Sequence, residues 1–275
     1  MIAIAALILS AFLAGCGLWR PTPVPMRTLA LPASCTDRPT TLLVFLPGSY
    51  SRPEDFVEHG FVSRLRAGGV AADVLLVDAH LGYYSERSIL ERLRVDVLAP
   101  ARARGYRDVW LVGISIGGYG ALAESAQAGR GVAPADRDPA GSGEDRRGDG
   151  LVAGLVVIAP YLGDRGVSMA IAAAGGLRRW PAPAVPSPPH ADDETLWRWL
   201  QWHTAPSLSP MRPQLFLAYG DSDRFEFSDR LLAAALPPGQ VFTAPGGHDW
   251  PVWEALWQRV LPALSLPRRD DCASR

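Results

Sequence analysis

The chain has 275 residues, of which about 230 remain once its tails are set aside, enough for one sizeable α/β domain and too few for two. Its formal charge is -1, with 28 acidic residues against 27 arginines and no lysine at all. No dense basic run occurs, which argues against nucleic acid as a partner.

Met1 to Ala14 form an apolar run that ends at Gly15 and Cys16. The run falls short of the ~20 residues that a membrane-spanning helix needs, so residues 1–15 read as a secretion signal peptide. Leu13-Ala14-Gly15-Cys16 resembles the bacterial lipobox, in which the leader is cut before the Cys and its sulfur receives a diacylglycerol group. The resemblance implies a lipid-anchored protein of the bacterial cell envelope, facing the periplasm and touching the membrane through its anchor. Acyl chains hold such a protein at about 0.8 kcal/mol per buried CH₂. One departure is that no Arg or Lys precedes the apolar run. With Cys16 lipidated, Cys35 and Cys272 remain, flanking the domain in a compartment where disulfides persist, and a bridge between them is expected. By chain entropy so long a loop would gain roughly 5 kcal/mol.

Residues 16–40 are rich in Pro and lack periodicity, as in a tether, so the core is expected to start at residue 41. Thr41 to Leu46 reads as a buried strand entering the turn Pro47-Gly48-Ser49. Pro53 to Arg66 has helical spacing closed by Gly68-Gly69, and Ala72 to Val77 is a second buried strand. Ser85 to Arg104 places Ile89, Leu90, Leu93, Val97 and Leu98 on one helical face. Val109 to Val112 is the third strand, followed by a helix from Gly117 to about Ala128. Gly, Asp, Arg and Pro dominate residues 129–150, the composition of a solvated insertion.

Leu151 to Ala159 and Gln214 to Ala218 are strands four and five. Between them, residues 163–210 read as a cap, with an Ala-rich helix near 167–174 and a Trp-laden helix from Asp192 to His203. Asp229 to Leu236 is a helix, Val241 to Thr243 a sixth strand, and Val252 to Leu264 a terminal helix, leaving 267–275 as a tail. The alternation implies an α/β fold: a mostly parallel sheet of about six strands with helices on both faces, spanning 41–266.

Gly113-Ile114-Ser115-Ile116-Gly117 lies between the third strand and its helix, where a G-x-S-x-G elbow presents a serine on a sharp turn. A serine hydroxyl attacks only when a base takes its proton and an acid orients that base. Of five histidines, His248 alone follows the last strand, between two glycines and an Asp. Asp223 is the preferred acid in Gly220-Asp221-Ser222-Asp223, with Asp221 as the alternative that could instead cap the turn. The backbone N–H of Ile116, and that of Ser49 or Tyr50 after the first strand, would form an oxyanion hole. His80 and Tyr83, at the carboxyl end of the second strand, and Trp199 on the Trp-laden helix are candidates for a substrate pocket, with core packing as the competing role for each and a membrane-surface contact as a third for the Trp-laden helix.

From Leu42 to Leu264 the chain resembles the α/β-hydrolase superfamily, and Gly-Gly-His-Asp-Trp is similar to the ending of its bacterial esterase-like branch. Membership implies an ester or thioester substrate cleaved through an acyl-enzyme, with no metal and no organic cofactor. The first two strands of that fold are not found in the sequence, and residues 129–150 have no counterpart in it. A catalytically silent lipoprotein that binds a partner or lipid, and an acyltransferase, are the alternatives. The natural substrate and the oligomeric state are not legible.

Overall fold

The computed structural model describes residues 20–36, 38–128, 151–186, 188–205 and 213–273. The signal peptide, Cys16, the 129–150 insertion and residues 206–210 of the cap-like segment lie outside them.

Seven strands form one sheet in the order β1-β3-β2-β4-β5-β6-β7. They are β1 Thr28–Leu31, β2 Thr41–Leu46, β3 Asp73–Val77, β4 Asp108–Ile114, β5 Val152–Ile158, β6 Gln214–Gly220 and β7 Val241–Ala244. All neighbours are parallel except β1, which runs antiparallel along β3 with Thr28 opposite Val77. The central strands are apolar throughout because both of their faces are covered. On β2, Leu42, Val44 and Leu46 join one core cluster while Leu43 and Phe45 join the other, as the two-residue period of a strand requires.

Two layers of helix cover these faces. Against Leu43 and Phe45 pack α1 (Asp55–Glu58), α2 (Phe61–Ala67) and α10 (Trp250–Val260), through Phe56, Phe61, Leu65 and Trp257. The other face carries α3 (Leu81–Ser85), α4 (Ile89–Arg92), a π-helical turn Leu93–Leu98, α5 (Ala99–Ala103), α6 (Ile116–Ala128), α7 (Arg165–Ala173), α8 (Ala191–His203) and α9 (Glu226–Ala233). A short α11 (Asp270–Ala273) ends the described chain.

Several expectations are corrected. The helix expected over Pro53 to Arg66 is two, because Gly60 adopts φ 73°, a left-handed conformation that ends α1 and starts α2. The helix from Ser85 to Arg104 starts at Ile89 and passes through the π turn, since apolar spacing does not reveal which carbonyl an N–H chooses. The 16–40 segment is no tether from Arg20 onward. Its backbone supplies β1 to the open edge of β3, Met26 is buried, and the Met26 N–H donates to Asp96 Oδ2 at 2.8 Å. That edge strand raises the sheet from six strands to seven. The tail expected from 267 is likewise packed as far as residue 273: Arg268 bridges Val70, the Ala71 N–H donates to the Pro267 carbonyl, and Cys272 is buried. Cys35 and Cys272 are joined in a disulfide, Cα to Cα 4.9 Å, which ties the two ends of the domain together.

Candidate active site

Strand order reverses at β2: the chain goes from β2 outward to β3 and then crosses back to β4 on the other side. In open parallel sheets this switch point leaves a crevice at the carboxyl ends of the strands. The turn after β2 and the turn after β4 therefore face each other there, and the second carries Ser115.

Ser115 has φ 55°, a left-handed conformation that costs a side-chain-bearing residue of order 1 kcal/mol or more. The sharp turn leaves no room beside it. A Cβ on Gly113 would stand 2.3 Å from the Gly117 carbonyl oxygen, and one on Gly117 2.2 Å from that of Leu46. These are backbone atoms, so both positions exclude any side chain. On the facing turn, a Cβ on Gly48 would lie 3.6 Å from Ser115 Cβ, so the backbone after β2 closes on the serine. Ile116 opens α6, where the first N–H groups have no intrahelical acceptor. The N–H groups of Ser49 and Tyr50 follow on the opposing turn.

Asp223 and His248 come from the loops after β6 and β7, adjacent parallel strands. The His248 ring places Nε2 3.0 Å from Ser115 Oγ, and Nδ1 2.8 Å from Asp223 Oδ2 and 3.0 Å from Oδ1. An ionised carboxylate only accepts, so Nδ1 carries the proton and Nε2 accepts the serine hydroxyl. The Asp223 side chain is fully buried and also accepts from the Phe225 N–H at 2.8 Å, which fixes its rotation. Asp221, the alternative acid, is exposed and accepts from the Gly246 N–H at 3.1 Å; it ties the β6 loop to the β7 loop and does not reach His248. Asp249 accepts from the Val252 N–H as the N-cap of α10.

Aromatic rings hold the imidazole on both sides, Phe225 edge-on at 5.1 Å and Trp253 at 5.0 Å. Tyr161 lies 5.5 Å from Phe225 and 5.9 Å from Tyr119, and its N–H donates to the Ser115 carbonyl. Sequence reasoning passed over all four: Tyr119 stands one helical turn after Ser115, and Tyr161, Phe225 and Trp253 follow β5, β6 and β7, a placement that does not say what each ring faces. It also passed over Asp229 of α9. That carboxyl is fully buried with neither oxygen hydrogen-bonded, and burial, then the charge of Asp223, pushes it well above the usual carboxylate range. Asp223, in contrast, has both oxygens within hydrogen-bond distance of His248 Nδ1.

The three pocket candidates make contacts of other kinds. His80 caps α3, accepting from the Gly82 N–H at 3.1 Å, while its Nε2 meets the Pro21 carbonyl at 3.0 Å. The Tyr83 hydroxyl donates to the Pro23 carbonyl at 2.8 Å. Both clamp the N-terminal segment, a partner that a tether reading of residues 16–40 had removed. Trp199 packs in the core with Leu196, Trp197 and Leu200 and lies 4.7 Å from the His203 ring. Its helix is a wall on α6, so core packing replaces the pocket role.

A family model described as the alpha/beta hydrolase family matches residues 43–268. Among solved structures, an S-formylglutathione hydrolase (FrmB) from Staphylococcus aureus is similar at 14% identity and TM-score 0.52, covering 89% of this chain and 93% of its own. A fluorophosphonate-binding serine hydrolase F (FphF) from the same organism is similar at 15% identity and TM-score 0.52, covering 86% and 98%. At such identities these likenesses show the fold. No curated protein matches the chain.

Proposed function

The chain belongs to the alpha/beta hydrolase family, and from that premise we propose that it is a serine hydrolase cleaving carboxylic esters or thioesters through an acyl-enzyme on Ser115, held at the bacterial envelope by a lipid on Cys16. The observation that carries the reading is the continuous line Ser115 Oγ, His248 Nε2, His248 Nδ1, Asp223, with every step at 2.8–3.0 Å.

As Ser115 Oγ attacks the acyl carbon, His248 Nε2 takes its proton and the imidazolium is stabilised by Asp223. The carbonyl oxygen becomes an oxyanion held by the N–H of Ile116 and that of Ser49 or Tyr50. Collapse expels the alcohol or thiol, which receives the proton from His248. Water then enters, His248 takes a proton from it, and the same steps release the acid and free Ser115. Buried Asp223 and the flanking rings keep the imidazole in one orientation, so little reorganisation accompanies charge separation.

Incubation of the full chain with a fluorophosphonate, read by intact mass, is expected to give one adduct that is absent from Ser115→Ala. An unlabelled but folded wild-type chain would refute an activated serine and favour a silent scaffold.

A further inference from the structure

The described N-terminal segment enters the domain beside the site. The described chain begins at Arg20, whose guanidinium pairs with Asp78 just after β3 and donates to the Ser51 carbonyl at 3.3 Å. Ser51 Oγ lies 3.6 Å from the Cβ position of Gly48, and that position is 3.6 Å from Ser115 Cβ. Ser51 and Gly48 therefore link the root of the N-terminal segment to the serine. His80, Tyr83 and Arg27 hold the segment further along, Arg27 through Asp78 and Glu54. Cys16 precedes Arg20 by four residues, a reach of about 14 Å at full extension. A domain of this size has a radius of gyration of about 17 Å, so such a leash cannot bring the far side of the molecule to the bilayer.

Four large apolar side chains are exposed around this root. Val24, Tyr50, Val57 and Leu81 are 69%, 78%, 46% and 39% exposed. Each lies within three residues of a group that pins the segment: Pro23, Ser51, Glu54 and His80 respectively. Arg20, Arg27 and Arg52 beside it are paired with Asp78, Glu54 and Asp55.

We infer that this face, bearing Val24, Tyr50, Val57 and Leu81, lies on the lipid bilayer that holds the Cys16 anchor, so that the Ser115 crevice opens at the membrane surface and takes esters carried by lipid. The inference rests on lipidation of Cys16 and on the hydrolase reading. Apolar side chains inserting among acyl chains, added to the covalent lipid, fix the orientation. A lipid ester then reaches the serine without crossing water.

The test uses the full lipidated chain in phosphatidylcholine vesicles containing doxyl-labelled lipid. Single variants Tyr50→Cys, Val57→Cys and Leu81→Cys, labelled with an environment-sensitive fluorophore, are compared with Gln214→Cys and Ser265→Cys, exposed at the amino end of β6, across the sheet from the crevice. Strong quenching at 50, 57 and 81 with little at 214 and 265 is expected; uniform quenching, or the reverse pattern, overturns the inference. So does a mass showing an unmodified Cys16. Quenching does not depend on hydrolysis, while a fluorophosphonate adduct on the same sample reports the hydrolase reading separately. In activity, the anchored chain should cleave a vesicle-borne long-chain ester ~10-fold or more faster than Cys16→Ser, with a water-soluble short-chain ester cleaved equally by both. Equal rates on both esters would remove the lipid-borne substrate.

Discussion

At Gly117 the demands of catalysis and of folding meet in one atom. An added Cβ would stand 2.2 Å from the Leu46 carbonyl oxygen, and neither backbone can retreat without moving β2 or the elbow. Gly117→Ala is therefore expected to cost several kcal/mol, or to shift the turn enough to abolish fluorophosphonate labelling; thermal unfolding and labelling of one preparation separate the two. The acids differ in kind. Asp223 reaches His248 with both oxygens, whereas Asp221 only ties Gly246 to its loop. Asp223→Asn should lower kcat about 10⁴-fold, as loss of the orienting acid does in the serine-protease triad, and Asp221→Asn should lower it far less. A larger loss from Asp221→Asn, by steady-state ester hydrolysis, would exchange their roles. The residues of this line were legible because chain order, glycine spacing and strand ends constrain them together. Phe225, Trp253 and Asp229 were not, since an aromatic or an acid on a helix gives no sign from sequence alone of what it faces.

Among the elements, the central strands and most helices follow from apolar runs and periodicity, while the edges do not. β1 has four residues, half of them exposed, set in a Pro-rich stretch; its Leu29 and Leu31 pack only because β3 offers an open edge. That neighbour is forty residues away and leaves no local trace. On α6, opposite the elbow, Glu124 is 2% exposed, and its Oε2 has no hydrogen-bond partner, with Arg94 Nε 3.7 Å distant. Burial raises its carboxyl to about 7, the Arg94 charge opposing. Below pH 4.5 the group is protonated in both folded and unfolded chains and folding is unpenalised. From there to about 7 the unfolded chain alone ionises, so stability falls with rising pH until the folded group also ionises. Glu124→Gln should remove this slope and gain on the order of 2 kcal/mol at pH 8, read as urea midpoints at pH 4.5 and 8; parallel curves for the two chains would contradict it. The difference isolates Glu124, because Asp229 titrates in both.

Across the whole molecule, the segment after β1 and the C-terminal segment meet beside the residues that lead into β3. Cys35 follows β1 and Cys272 lies on α11, and between them the chain makes every strand from β2 to β7. The bridge closes a loop of 237 residues, so its absence enlarges the unfolded ensemble more than it disturbs the native contacts. The Ala71 N–H on Pro267 and the Arg269 N–H on Gly69 keep the C-terminal segment seated even without the bond. Reduction should therefore lower stability by about 2–5 kcal/mol without removing the fold. The triad sits on loops after β4, β6 and β7, away from the bridge, so the reduced chain at low denaturant should still take the fluorophosphonate at Ser115 at close to the oxidised rate. If labelling vanishes while circular dichroism stays native, the clamp of the N-terminal segment on Asp78 and Ser51 transmits to the oxyanion turn, and the two ends of the chain would be part of the site's support rather than of the fold's alone.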